Sequence, residues 1–251
     1  MVKKVNNDLE ETSKTVEIPQ EAKVETKIEA KVESKVESKD ESKKTSKPKK
    51  DESPDYLSFN KWSVKGISIL DAGLKDYINL SPRIVPKTNR KTVGIRFGKG
   101  KILLIERLMN KLFITGHKGK KHSKSSGHQT GKSETVYNNV YKAFCIIEEK
   151  MKMNPVEVFV RAVENSAPLE EIVSIEYGGA KYPQAVECSP LRRIDIVLRM
   201  MTQGSYVKSF KTKKTISQAL AEEIMNAYNS NNASVAIAKK FELERQADAS
   251  R

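Results

Sequence analysis

A run of glycine, lysine and serine near the middle of the chain has the residue types of a phosphate-binding loop. Gly127, Gly131, Lys132 and Ser133 follow one another in the order that such a loop requires. The spacing between the two glycines is one residue shorter than in the nucleotide-binding pattern, and no buried strand precedes them. We therefore interpret the run as a flexible segment whose lysines reach phosphate groups, and we expect no nucleotide hydrolysis.

Three histidines, His117, His122 and His128, lie in the same segment, and histidine can bind a metal ion or act as a base. No cysteine or acid accompanies them before Glu134, and their spacings match no zinc pattern. A loop rich in glycine and serine also holds a catalytic base poorly. We expect no metal site, no cofactor and no enzyme activity.

The positive charge of the chain is unevenly distributed. Residues 1–55 hold 13 lysines against 14 acids, whereas the rest of the chain holds 33 lysines and arginines against 18 acids. An excess of cations on a folded unit favours a polyanionic partner, because bound lysine and arginine release condensed counterions. The alternative at this stage is a solvated basic surface that serves solubility alone.

A four-residue unit of the type Lys-Val-Glu-Ser repeats from Lys23 onwards. This period places like charges four residues apart, which opposes a helix, and too little apolar surface remains to offset chain entropy. We expect a disordered, low-complexity tail over residues 1–55. Its basic end, 43–50, either touches phosphate loosely or is only a soluble extension.

Two features concern the compartment in which the protein works. No apolar run approaches the length of a membrane span or of a signal peptide, so we expect no membrane partner. Cys145 and Cys188 are isolated, and two such cysteines form no disulfide framework. This usage fits a reducing cytoplasm.

The positions of proline and glycine and the spacing of apolar residues predict the secondary-structure elements that carry these basic and polar side chains. Residues 56–100 read as an extended basic arm, since Ser81-Pro82 and Val85-Pro86 disfavour helix, and Trp62 and Tyr77 mark points where the arm packs. Apolar residues at helical spacing then predict a mainly α domain over 101–251. Its six helices are expected to include one capped by Asn154 and Pro155, one from Pro190 that Gly204 stops, one capped by Thr215 with Gln218, and one from about Ser234.

Residues 172–186 have strand-like composition around Gly178-Gly179, which predicts one β-hairpin between the third and fourth helices. Two strands alone are marginal in water, so the hairpin needs support from the bundle or from a partner. Tyr177, Tyr182 and Lys181 near its tip suit RNA through base stacking and phosphate contact. A hairpin that merely folds onto its own bundle is the alternative.

The last two helices also permit a helix-turn-helix reading, in which Lys239 and Lys240 would face a DNA major groove. The connector 229–233 is longer than the usual tight turn, which favours two packed bundle helices. A helix-turn-helix DNA-binding protein stays as the alternative function.

Several ordered motifs resemble the universal small-subunit ribosomal protein seven family, whose eukaryotic form is called small-subunit protein five. They are Tyr77-Ile-Asn-Leu80, Arg107-Leu-Met-Asn110, Gly119-Lys-Lys121, Asn154-Pro155, Asn165-Ser-Ala-Pro168, Tyr177-Gly-Gly-Ala-Lys-Tyr-Pro-Gln-Ala-Val186 and Ser189-Pro-Leu-Arg-Arg193. The likeness covers roughly 60–251, and the arm motif resembles the archaeal branch. The tail 1–55 lies outside the family pattern.

The resemblance implies six helices with a protruding hairpin. It also implies binding to the 3′ domain of small-subunit rRNA, nucleation of head assembly, and a hairpin and C-terminus near exit-site tRNA and mRNA. A neighbouring small-subunit ribosomal protein would be the protein partner. The expected rRNA contacts are Arg96, Lys99, Lys101, Arg107, Lys120, Lys121, Arg192 and Arg193. The expected exit-site residues are Tyr177, Gly178, Gly179, Lys181 and Arg251.

Overall fold

The structure, a computed structural model, describes residues 57–88, 92, 94–118, 121–122 and 129–251. The tail predicted over 1–55 lies outside these residues. Six α-helices are found in the described part: α1 (Leu104–Leu112), α2 (Ser133–Met151), α3 (Pro155–Ser166), α4 (Pro190–Ser209), α5 (Ile216–Tyr228) and α6 (Val235–Asp248). Its strands are β1 (His117–Lys118), β2 (Lys121–His122), β3 (Glu170–Tyr177) and β4 (Ala180–Glu187). The prediction of a six-helix body with a hairpin between α3 and α4 is confirmed.

Two helices begin where the capping residues predict. The Asn154 side chain accepts a hydrogen bond from the Val156 N–H at 3.1 Å, and Pro155 occupies the first turn of α3. At α5, the Thr215 hydroxyl accepts from the Gln218 N–H, and the Gln218 side chain accepts from the Thr215 N–H. These bonds satisfy N–H groups that have no partner inside the helix, so sequence alone fixes both starts.

The hairpin β3–β4 is an antiparallel ribbon with a two-residue turn. Gly178 and Gly179 have φ of 57° and 81°, the left-handed conformation that the tightest hairpin turns require. Pro183 pairs with Ser174, and it is tolerated because each strand of a two-stranded ribbon has a free edge. Near the base of the ribbon, both strands contact α6. The bundle therefore supports the base while the tip projects.

The core is built around α5, which packs against α2, α3 and α4. Phe144, Phe159 and Leu220 are among its largest buried side chains. Leu198 and Met201 of α4 are fully buried there as well, as their helical spacing indicates. Within the described residues, no helix is long and apolar enough to span a membrane.

The arm packs onto this core instead of extending freely. Trp62 is buried, and its ring lies 5.8 Å from that of Phe144 and 5.5 Å from that of Tyr141. Further along the arm, Glu106 of α1 accepts a hydrogen bond from the Thr88 N–H at 2.8 Å. The arm is thereby held against the helices at two points, Trp62 and Thr88.

One boundary prediction is wrong. Gly204 does not stop α4, which continues to Ser209. A Cβ built on Gly204 would lie 2.9 Å from Val235 Cγ2 and 3.2 Å from Glu223 Cδ. The glycine is therefore a packing residue that lets α6 approach α4 closely. The low helix propensity of glycine does not end the helix here, because this tertiary contact outweighs it.

The short ladder β1–β2 was not predicted. It pairs His117 with His122 and Lys118 with Lys121 inside the segment interpreted as a basic loop. Two-residue strands leave no trace in hydrophobic periodicity, which needs at least four residues to show.

We expect Gly204→Ala to destabilise the fold by about 1–2 kcal/mol, because the added methyl clashes with Val235. Helix propensity alone predicts the opposite sign, a gain of about 1 kcal/mol. Urea unfolding of the full chain decides between them. Adding Val235→Ala should recover part of the loss. A more stable Gly204→Ala variant would contradict the packing role.

Candidate nucleic-acid interface

A cleft of 710 Å³ lies between the end of the arm, with Ile102 just after it, and the first turns of α4. Its basic residues are Lys99 from the arm and Arg192 and Arg199 from α4. Arg192 and Arg199 are seven residues apart, or two helical turns, so they lie on one face of the helix. The arm and α4 therefore bring cations distant in sequence to one surface.

Asp195 organises the cations of the cleft. Its carboxylate contacts Lys99 Nζ at 3.1 Å and Arg107 Nη2 at 3.3 Å. Burial acts to raise the pKa of Asp195, but nearby Lys111, Lys99 and Arg107 outweigh that effect and lower it. Asp195 is thus ionised, and one negative charge holds several positive ones together.

Lys111 lies near the same charges as Asp195. Burial is the main cause that lowers its pKa, and repulsion from Arg199, Lys99 and Arg107 adds to it, while Asp195 opposes the shift. A cluster in which cations outnumber the acid gains from a bound polyanion, because phosphate oxygens neutralise the excess charge.

The residues predicted to contact RNA do not all lie on this surface. Lys99 and Arg192 line the cleft, whereas Arg96 of the arm and Lys101, which follows the arm, are exposed and do not line it. The backbone of Lys121 lies in β2, away from these in sequence. Lys120 lies outside the described residues.

Arg107 and Arg193 are buried, which the sequence motifs did not reveal. Arg107 has a side chain 4% exposed and binds Asp195. The Arg193 side chain, 8% exposed, donates to the Pro168 carbonyl at 2.9 Å and pairs with Asp71 at 2.7 Å. Both guanidinium groups join the arm to α4, Arg107 through the Tyr77 carbonyl and Asp195, and Arg193 through Asp71.

The expected exit-site residues fall at two ends of the ribbon. Tyr177, with 81% of its surface exposed, lies at the tip with Gly178, Gly179 and Lys181. Arg251 instead pairs with Glu170 at the base, and this bond holds the pKa of Glu170 below its usual range. At about 3.3 Å per residue, seven residues of strand separate the two ends by roughly 23 Å.

The cleft also contains residues that sequence reasoning missed. Phe97 and Arg199 line it, and Lys111 lies close enough to shift the pKa of Asp195. Sequence patterns could have identified all three residues. Arg199 lies on the same helical face as Arg192, and Lys111 follows Arg107 by four residues. Phe97 lies within a run of basic residues.

Lys239 and Lys240, which would face DNA in a helix-turn-helix, both have partners within the protein. Lys240 Nζ donates to the Asn165 carbonyl at 2.9 Å, and Lys239 pairs with Glu242 at 2.9 Å. The helix that carries them, α6, also packs against β3. These contacts are those of a bundle helix, as the length of the connector indicated.

No group of three or more potential metal ligands forms among the residues that the structure describes. One of the three histidines considered, His128, lies outside those residues.

The fold and the cleft together define a basic helical protein with a charged groove and a projecting ribbon. The chain belongs to the family described as ribosomal protein S7p/S5e, whose sequence pattern matches residues 74–251. The resemblance inferred from the ordered motifs is thus confirmed. The family is a structural component of the ribosome and not a family of enzymes.

Three archaeal relatives carry the name small ribosomal subunit protein uS7. The protein of Nanoarchaeum equitans is 48% identical over 193 residues, which cover 77% of this chain and 98% of the relative. That of Archaeoglobus fulgidus is 41% identical, with 78% and 96% covered. That of Cenarchaeum symbiosum is 42% identical, with 80% and 99% covered.

Proposed function

We propose that the protein is a structural constituent of the small ribosomal subunit that binds the 3′ domain of small-subunit rRNA and nucleates assembly of the head. The observation that carries this proposal is the cleft between the arm and α4. Lys99, Arg192 and Arg199 line it, and Asp195 is the one acid among its described lining residues. A concave surface with this charge suits the RNA backbone.

The residues divide into two roles in this proposal. Lys99, Arg192, Arg199, Arg96 and Lys101 reach phosphates from the surface. Arg107 and Arg193 position the arm against the helices, because their side chains are buried, whereas those of Lys99 and Arg192 are mostly exposed although each pairs with an acid. Lys120 and Lys121 are further rRNA contacts in this proposal, on the basis of the Gly119-Lys-Lys121 motif.

The ribbon tip carries the second part of the proposal, a place at the exit site near tRNA and mRNA. Val173, Ile175 and Tyr177 share one face of β3 with Tyr182 of β4, and all four side chains are exposed. A ribbon with an exposed aromatic tip and a glycine turn suits close approach to nucleotides. Arg251 serves this part indirectly, because it pairs with Glu170, which stands opposite Glu187, and so relieves like-charge repulsion at the ribbon base.

The chain has three parts in this proposal: a tail over 1–55 with no assigned role, an rRNA-contacting arm over 56–100, and a helical domain over 101–251. A neighbouring small-subunit protein completes the surroundings of the ribbon. The compartment is the cytoplasm, where small subunits carry the protein.

Deletion of Tyr177–Tyr182 separates the two parts of the proposal. We expect the shortened protein to fold, to bind rRNA and to sediment with small subunits in a density gradient, since the tip makes few contacts with the bundle. Translation by those subunits should be less accurate or slower. Loss of helical circular dichroism would show that the ribbon is needed for folding. Wild-type translation by subunits carrying the deletion would argue against the exit-site role.

A further inference from the structure

Phe97 combines three features that together distinguish it from a core aromatic residue such as Phe59, which has a similar φ of 56° but is only 5% exposed. Its ring is 65% exposed. Its backbone is left-handed, with φ of 59°, a conformation that is unfavourable for a bulky L residue. It also lines the basic cleft, and in the sequence it lies between Arg96 and Lys99. The exposed Phe97 ring contributes little hydrophobic stabilisation to the free protein, and its backbone conformation is strained. We therefore interpret its position as that of a residue that contacts a ligand.

Backbone contacts on both sides of Phe97 explain why its ring points away from the core. Gly98 approaches Thr92 so closely that a Cβ on it would lie 2.5 Å from the Thr92 carbonyl oxygen. The Phe97 carbonyl accepts from the Gly100 N–H at 3.1 Å and so opens the 3₁₀ turn Gly98–Lys101. These contacts fix the turn that follows Phe97, and the side chain projects from it.

The surroundings of the ring indicate the chemistry of the ligand. The Arg96 guanidinium lies 5.2 Å from the ring centroid, which is within the range of a cation–π contact. Lys99 lies two residues away, and Arg192 lines the same cleft. An aromatic ring beside several cations matches a nucleotide, whose base stacks on the ring while its phosphates meet the charges.

We propose that Phe97 is a stacking platform for an unpaired nucleobase of the rRNA in the cleft. This inference rests on the proposed function, and it adds a contact of a different kind. Phosphate contacts carry positive charge and depend on salt, whereas a stacked base contributes affinity without releasing counterions. It also gives the cleft a preference for a single-stranded or bulged position over a continuous duplex.

The test compares Phe97→Ala and Phe97→Trp with the wild-type full chain. The ligand is a transcript of the 3′ domain of archaeal small-subunit rRNA, titrated at several salt concentrations. We expect Phe97→Ala to bind about 5-fold to 150-fold more weakly, which is the range for loss of one stacked base. The dependence of affinity on salt should stay that of the wild type, and Phe97→Trp should bind like the wild type.

Phe241→Ala is the matched control, because Phe241 is also an exposed phenylalanine, at 50%, but lies on α6 and does not line the cleft. It should bind like the wild type. Phe97→Gly guards against a folding artefact: glycine removes the backbone strain, so its melting temperature should not fall while its affinity does. Wild-type affinity of Phe97→Ala would overturn the stacking inference alone. A wild-type chain that does not bind the transcript would overturn the proposed function instead.

Discussion

Replacement of Glu223 by alanine should cost about 3–5 kcal/mol of unfolding free energy, the largest stability effect that the structure predicts. Glu223 lies on α5 and is fully buried. One carboxylate oxygen accepts hydrogen bonds from the Ser234 hydroxyl at 2.8 Å and from the Val235 N–H at 2.6 Å. The other pairs with Lys208 Nζ at 2.6 Å. The carboxylate therefore caps α6 and joins it to α4 and α5.

The size of the effect follows from what the substitution leaves behind. Without the carboxylate, the first N–H groups of α6 lose their acceptor. The ammonium of Lys208, whose side chain is 30% exposed, loses its charged partner and keeps only the Ala233 carbonyl. Burying such groups without a partner is more costly than the net gain from forming the pair. The start of α6 should loosen first.

Urea unfolding followed by circular dichroism measures this cost, and the neighbouring residue supplies the control. Glu222 pairs with Lys214 at 3.0 Å, but the Lys214 side chain is 55% exposed and that of Glu222 is 33% exposed, so Glu222→Ala should change stability by about 1 kcal/mol or less. If Glu223→Ala does not fold, Glu223→Gln keeps one acceptor and should show a smaller loss. Equal stability of Glu222→Ala and Glu223→Ala would exclude the buried cap.

The largest binding effect is expected from the triple variant Lys99→Ala, Arg192→Ala, Arg199→Ala. Each substitution removes a cation from the cleft. At about 1 kcal/mol or more for each charged contact, affinity for the rRNA 3′ domain should fall by roughly 10²-fold to 10³-fold. The fold should persist, because Lys99 and Arg192 are mostly exposed and Asp195 retains Arg107.

A control with the same change in net charge distinguishes the cleft from the overall charge. Lys75, Lys150 and Lys213 are exposed and do not line the cleft. Their replacement by alanine should weaken binding far less. Equal losses in the two triple variants would mean that net charge, and not the cleft, accounts for the affinity.

Much of the fold could be predicted because it depends on local signals. The start of α3 follows from Asn154-Pro155, and the start of α5 follows from Thr215 with Gln218, since a capping bond involves residues within one turn. The ribbon turn follows from Gly178-Gly179 for the same reason. The prediction that Gly204 ends α4 was wrong because the role of this glycine depends on its contact with Val235. Val235 lies thirty-one residues further along the chain, and no local sequence pattern indicates that contact.

The site was predicted less completely, and burial is the reason. Arg192 and Arg193 are adjacent and look equivalent in the sequence, yet one side chain is 61% exposed and the other 8%. Glu222 and Glu223 differ in the same way. Neighbouring residues on a helix point in directions about 100° apart, so only packing decides which of the two meets the partner.

The dependence of rRNA affinity on salt tests the phosphate-binding cleft most directly. If roughly six phosphates are neutralised, the logarithm of the association constant should fall with the logarithm of salt concentration at a slope of about −5. The triple variant of Lys99, Arg192 and Arg199 should show a slope smaller in magnitude by about 3, at about 0.9 per lost contact. An affinity that does not change with salt, or a triple variant with the wild-type slope, would contradict the assignment of this cleft to rRNA.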